Sequence, residues 1–84
     1  MKDKNGLYYH PFPGNKQIRM YVRAGSKDIE FRLWNHEDPM LWTEHGWVPW
    51  LAIQKATAMY KGGKFNPKRA YDLDVAKALL KENQ

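Results

Sequence analysis

A chain of 84 residues without cysteine has room for one domain with a modest hydrophobic core, and it excludes disulfides, thiol nucleophiles and Cys-ligated zinc. Fourteen basic against nine acidic residues give a net charge of +5 and a pI near 9.6, a balance that favours an anionic partner without specifying one. The opening residues lack the apolar run of a signal peptide and no stretch has the length of a membrane span, so the chain reads as soluble and cytoplasmic, with no membrane partner. A single domain over residues 1–84 is expected, with a disordered tail at 1–6.

Leu7-Tyr8-Tyr9 suits a strand, ended by Pro11, Pro13 and Gly14. The strongest local signal follows: Ile18, Met20 and Val22 alternate with Arg19, Tyr21 and Arg23, and Ile29, Phe31 and Leu33 alternate with Glu30, Arg32 and Trp34. Period two, repeated on both sides of Ala24-Gly25-Ser26-Lys27, predicts a hairpin 17–23/28–34. A turn centred on Gly25-Ser26, with glycine supplying a positive φ, pairs Val22 with Ile29, Met20 with Phe31 and Ile18 with Leu33. All six apolar side chains then share one face.

Residues 35–46 read as a polar, irregular loop, in which Met40, Leu41 and Trp42 form either a short edge strand or an anchoring helical turn. A helix is expected over about 49–61, opened by Pro49 and stopped by Gly62-Gly63, with Ala52, Ile53, Ala56, Met59 and Tyr60 on its buried face. After a turn at Asn66-Pro67, a second helix is expected over about 72–82, capped by Asp72 and burying Leu73, Ala76, Leu79 and Leu80. Strands followed by helices point to an α+β fold: a small two-layer sandwich, its two- or three-stranded antiparallel sheet covered on one face by two helices.

The same hairpin register places Arg23 opposite Asp28, Tyr21 opposite Glu30, Arg19 opposite Arg32 and Gln17 opposite Trp34. If that face is open, Arg19, Tyr21, Arg23, Arg32 and Trp34 make a basic aromatic plate able to hold phosphate on arginine and bases on flat rings. The competing reading is a solvated face whose arginines meet Asp28 and Glu30. No named nucleic-acid motif is present.

All four tryptophans, Trp34, Trp42, Trp47 and Trp50, crowd into one stretch that also holds His36, Glu37, Asp38, Glu44 and His45. His and carboxylates are the ligands left to a Cys-free metal site and the usual general acids and bases, but the spacing matches no metal or catalytic pattern; a polar loop is the simpler reading. Trp47 and Trp50 fit core or core-edge positions at the helix start. Trp42 is the one expected to be partly exposed, and with Met40 and Leu41 it would form an apolar patch for a protein partner. Gly62-Gly63-Lys64 follows a helix, where phosphate loops precede one, so it reads as a helix stop. Lys61, Lys64, Lys68 and Arg69 around Phe65 and Tyr71 read as a solvated connector pinned by its rings.

With no nucleophile–base spacing, no cofactor loop and no metal motif, the sequence points away from an enzyme and toward a small binding module with no cofactor. Its partner is expected to be nucleic acid or another anion at the sheet face, or alternatively a protein at Met40, Leu41 and Trp42.

Overall fold

The computed structural model describes residues 1–59 and 70–82. Alternating side chains build the centre of an antiparallel sheet from β3 (Ile18–Ala24) and β4 (Ile29–Asn35). Three shorter strands extend it: β1 (Lys2–Asp3), β2 (Gly6–Tyr9) and β5 (Val48–Pro49). The five lie in the order β1-β2-β3-β4-β5. Among the described residues three helices complete the α+β fold: α1 (Met40–Glu44), α2 (Trp50–Met59) and α3 (Leu73–Glu82).

The hairpin forms with its apolar residues on one face, but its register is displaced by two residues from the expected one. Met20 pairs with Leu33, Val22 with Phe31, and Ala24 with Ile29. A shift of two preserves the face because side chains alternate with period two. The turn is wider than a two-residue loop: the Gly25 N–H donates to the Asp28 carbonyl at 2.8 Å. Gly25 is not used for positive φ, which among the described residues only Gly6 adopts. It is required because a Cβ there would lie 2.6 Å from both the Asp28 carbonyl oxygen and Glu30 Cδ.

Residues 7–9 do join the sheet, Leu7 pairing with Val22 and Tyr9 with Met20. The expected tail at 1–6 also contributes, since Lys2 and Asp3 pair with Leu7 and Gly6. Asp3 secures that end through its side chain, as described below. In the loop 35–46, the helical-turn alternative for Met40, Leu41 and Trp42 is the one that forms, as the one-turn helix α1.

Met20, Val22 and Phe31 are buried against Ile53 of α2, Ala76 of α3 and Ala70. Within α2 the buried face differs from expectation: Ile53 is buried, with Trp50 and Thr57 half-buried, whereas Ala52, Ala56 and Met59 are exposed. Pro49 ends the edge strand β5, and its missing N–H suits an edge; the helix follows from Trp50. Asp28 binds that start from the hairpin loop, its Oδ1 accepting the Ile29 N–H (2.8 Å) and its Oδ2 the Leu51 N–H (2.9 Å). A carboxylate there satisfies an orphan donor and complements the positive end of the helix.

Asp72 caps α3 as expected, its Oδ1 accepting the N–H groups of Asp74 and Val75 at 3.1 and 3.2 Å. Ala76 is buried and Leu73, Leu79 and Leu80 are half-buried. Tyr9 ties this helix to the sheet: its hydroxyl donates to the Ala70 carbonyl at 2.5 Å and accepts the Asp72 N–H at 2.9 Å. Burial of the phenol pushes its pKa up to about 12. The expectations for Tyr60, Gly62-Gly63-Lys64, Phe65, Asn66-Pro67 and the basic residues 61–69 lie outside the described residues. No helix among the described residues is long and apolar enough to cross a membrane.

Candidate nucleic-acid interface

The sheet face opposite α2 and α3 carries Arg19, Tyr21 and Arg23 from β3 and Glu30, Arg32 and Trp34 from β4, and the corrected register decides who meets whom. Arg19 lies opposite Trp34, Tyr21 opposite Arg32, and Arg23 opposite Glu30. The two arginines are therefore not directly opposed, and the repulsion implied by the expected pairing does not arise. Instead each arginine meets a ring. The Arg19 guanidinium lies 4.8 Å from the centroid of Tyr8 and 4.8 Å from that of Trp34, Arg23 lies 4.4 Å from Trp47, and Arg32 lies 3.8 Å from Trp42. Cation–π contacts contribute roughly 0.5–1 kcal/mol at exposed sites and about 2 when desolvated.

Tyr21 is the exception within the expected plate: it is 0% exposed, so it supports the face from beneath. Trp42 packs edge-on against it at 5.2 Å, and Tyr8 tilts against it at 5.3 Å. Its hydroxyl donates to Asp3 Oδ2 at 2.5 Å, and Arg19 donates to the same oxygen at 3.0 Å. Burial, then the bond to Asp3, raises the Tyr21 pKa. Partial desolvation pulls the Asp3 carboxyl upward, yet bonds from Tyr21 and the Asn5 amide, with the Arg19 charge, hold it below its ordinary value. The bond to Tyr21 is the leading reason that the Arg19 pKa is raised further.

Two of the three arginines have carboxylate partners, Arg19 with Asp3 at 3.0 Å and Arg23 with Glu30 at 2.6 Å. Among the described residues Arg32 has none; it donates to the Trp42 carbonyl. The Nε groups of Arg19 and Arg32 are buried without a hydrogen-bond acceptor among the described residues. The charge excess of the chain lies elsewhere. Four basic and no acidic residues occur between 60 and 69, leaving ten basic against nine acidic residues in the remainder.

Residue type and alternation in β3 and β4 identified Arg19, Arg23, Arg32 and Trp34 as members of one face. Tyr8, Trp47 and Asp3 belong to it as well and were missed. Tyr8 was legible in principle, because Leu7 and Tyr9 on the core side leave Tyr8 on the other. Trp47, expected at the core edge, lies against Trp42 (6.4 Å) and Arg23 on this face, because β5 at Val48–Pro49 carries the chain along the β4 edge. Trp50 does pack in the core, 5.9 Å from Phe31.

The expected patch of Met40, Leu41 and Trp42 is divided by the edge of β4. Met40 is 58% exposed, Leu41 lines a cavity with Phe31, Leu33, Val48 and Tyr71 on the core side, and Trp42 packs on Tyr21 and Arg32 on the other side. His36, Glu37, Asp38, Glu44 and His45 are all exposed, and no group of three or more His, Asp or Glu among the described residues is placed to hold a metal.

No family model, curated protein or solved structure matches this chain.

Proposed function

We propose that the protein is a small non-catalytic binding module that takes single-stranded nucleic acid on the sheet face opposite its two longer helices. The observation that carries this reading is the Arg19 guanidinium held between the rings of Tyr8 and Trp34 at equal distance, with Arg23 and Arg32 each seated on a further tryptophan. Half-exposed rings supply surfaces on which bases stack irrespective of sequence, and guanidinium groups fixed beside them meet phosphate at little ordering cost. Arg32, free of a carboxylate partner among the described residues, is the first candidate for a phosphate contact; Arg23, on an exposed ion pair worth little, is the second.

Few phosphate contacts imply a shallow salt dependence. Two or three contacts to a single strand give a slope in log affinity against log salt of about −1.4 to −2.1, or roughly 7- to 20-fold weaker binding between 50 and 200 mM salt. Fluorescence anisotropy with labelled single-stranded RNA and DNA oligonucleotides tests this. Arg32→Ala is expected to lower affinity and reduce the slope by somewhat less than one contact unit, about 0.7. Binding unchanged by Arg32→Ala and Arg23→Ala together would show that any affinity resides elsewhere, the basic stretch 61–69 being the obvious place.

A second reading, a protein-interaction or accessory role, draws support from exposed apolar side chains on the helices, Met40 and Leu51 at 58% and Met59 at 77%. It expects a partner or self-association sensitive to Met40→Ser, and a monomer at all concentrations with no captured partner counts against it.

A further inference from the structure

On the arginine face the Asp3 carboxylate occupies a position suited to a phosphate. Its Oδ2 accepts the Tyr21 hydroxyl at 2.5 Å and Arg19 Nη1 at 3.0 Å, while its Oδ1 turns away to the Asn5 amide at 2.8 Å. One carboxylate oxygen therefore serves two donors that stand 3.4 Å apart, and the buried Nε of Arg19 is left without an acceptor among the described residues. A guanidinium meets phosphate through two parallel N–H groups. An anion presenting two oxygens here employs a donor that Asp3 leaves idle.

The strand that carries Asp3 is lightly held. β1 is two residues long and pairs with β2 alone, Lys2 with Leu7 and Asp3 with Gly6. Neither of its side chains is apolar, so lifting it takes no hydrophobic contact of its own from the core. The Arg19–Asp3 pair is partly exposed at both ends, 32% and 26%, and ion pairs open to solvent contribute little. Arg19 is also the guanidinium centred between the Tyr8 and Trp34 rings, 4.8 Å from each. Bases lying on those two rings bring the phosphate that joins them over the guanidinium, where Asp3 sits.

We propose that Arg19 and the Tyr21 hydroxyl form an oxyanion seat for a nucleic-acid phosphate, filled in the free protein by the Asp3 carboxylate as an internal competitor. Binding exchanges carboxylate for phosphate, and Asp3 thereby sets the affinity of the face. The source of the phosphate rests on the nucleic-acid reading above; the seat itself is tested separately with inorganic phosphate.

Asp3→Ala empties the seat, and Asp3→Asn keeps its shape without the charge. Glu82→Gln, exposed on α3 behind the sheet, makes the same change in net charge. In fluorescence anisotropy with a single-stranded oligonucleotide at low salt, both Asp3 variants are expected to bind about two- to fivefold more tightly than the parent and to steepen the salt slope by about 0.7. Glu82→Gln should stay close to the parent. When phosphate replaces chloride at constant ionic strength, the Arg19 Nε–H signal of Asp3→Ala should shift saturably and that of the parent should stay in place. In the parent, a saturating oligonucleotide should move the Asp3 carboxyl carbon signal, a readout that needs no substitution. An unmoved Asp3 carboxyl at saturation, an equal gain from Glu82→Gln, or an Arg19 signal in Asp3→Ala indifferent to phosphate would overturn the seat, whatever Arg23 and Arg32 do with the oligonucleotide. Phosphate uptake at Arg19 with no oligonucleotide bound by any form would support the seat and overturn the nucleic-acid reading.

Discussion

Replacing Tyr9 with phenylalanine removes one oxygen and leaves the ring in place, so its effect isolates two hydrogen bonds between β2 and the start of α3. The acceptor left behind is the carbonyl of Ala70, a residue with no solvent exposure; the donor is the N–H of Asp72, which is half-buried and able to find water. An unsatisfied buried backbone group costs about 1–3 kcal/mol, and with the second group mostly rehydrated the total is about 2–3 kcal/mol by the same reckoning. At roughly 4–8 °C per kcal/mol for a domain of this size, Tm falls by about 8–24 °C. Urea denaturation is expected to show a lower midpoint with an unchanged m-value, since the surface exposed on unfolding is the same.

A second signature comes from pH. The folded Tyr9 pKa of about 12 lies above the ordinary tyrosine value of 10.0, so the native state retains a proton that the unfolded chain releases, and stability falls as pH rises from 10 toward 12. The contribution is full below pH 10 and lost above 12. Two pH units correspond to about 2.7 kcal/mol, which partial exposure reduces to about 2 kcal/mol or less. The difference in stability between parent and Tyr9→Phe should therefore shrink through that alkaline window. A loss below about 0.5 kcal/mol at neutral pH, within the range of an ordinary surface change, would refute the role given to Tyr9.

Gly25→Ala places a Cβ 2.6 Å from a backbone oxygen, and calorimetry should register a loss of about 1–3 kcal/mol, as for other forced contacts; a neutral result would mean the hairpin loop relaxes freely. Asp28→Ala removes the bond to Leu51 at the start of α2, with an expected cost of about 0.5–2 kcal/mol, as for loss of a helix cap, and faster amide exchange at Leu51. Asp3 has a depressed pKa, so its contribution is present above the ordinary carboxylate value of 3.8 and disappears as pH falls through the lower folded value. Asp3→Asn should flatten that acid limb, measured by urea midpoints between pH 2 and 5, and should increase exchange at Gly6 and Leu7; an unaltered limb would exclude Asp3 as its source.

The hairpin was legible because period-two alternation needs no knowledge of what covers the sheet. Its register was not, because a slip of two residues keeps every side chain on its face and alternation cannot distinguish the two; the close approach of Gly25 to Asp28 and Glu30 sets the turn. The order of strands before helices, and Asp72 as a cap, were readable from local chemistry. Strands β1 and β5 were not: two-residue strands such as Lys2–Asp3 and Val48–Pro49 carry no periodic signal and depend on partners elsewhere. In α2, five apolar positions were assigned to one face, but the helix is apolar on several sides and only packing selects Trp50, Ile53 and Thr57.

For the arginine face, residue types were readable, yet whether it is open, ion-paired or ring-stacked depended on register and on where α1 and Trp47 come to rest. Tyr21 shows the difference most sharply. A polar-face aromatic by pattern, it lies wholly buried beneath Trp42 and bonded to Asp3, a residue assigned to a disordered tail.

The central claim is best tested by a heteronuclear NMR titration with a short mixed-sequence single strand, followed through the side-chain Nε–H signals of Arg19, Arg23 and Arg32 and the indole N–H signals of Trp34 and Trp47. The account expects those signals to shift together at low salt and to return as salt is raised, with the Trp50 indole in the core unmoved. Shifts confined to residues 61–69, or none on the sheet face at low salt, would contradict it.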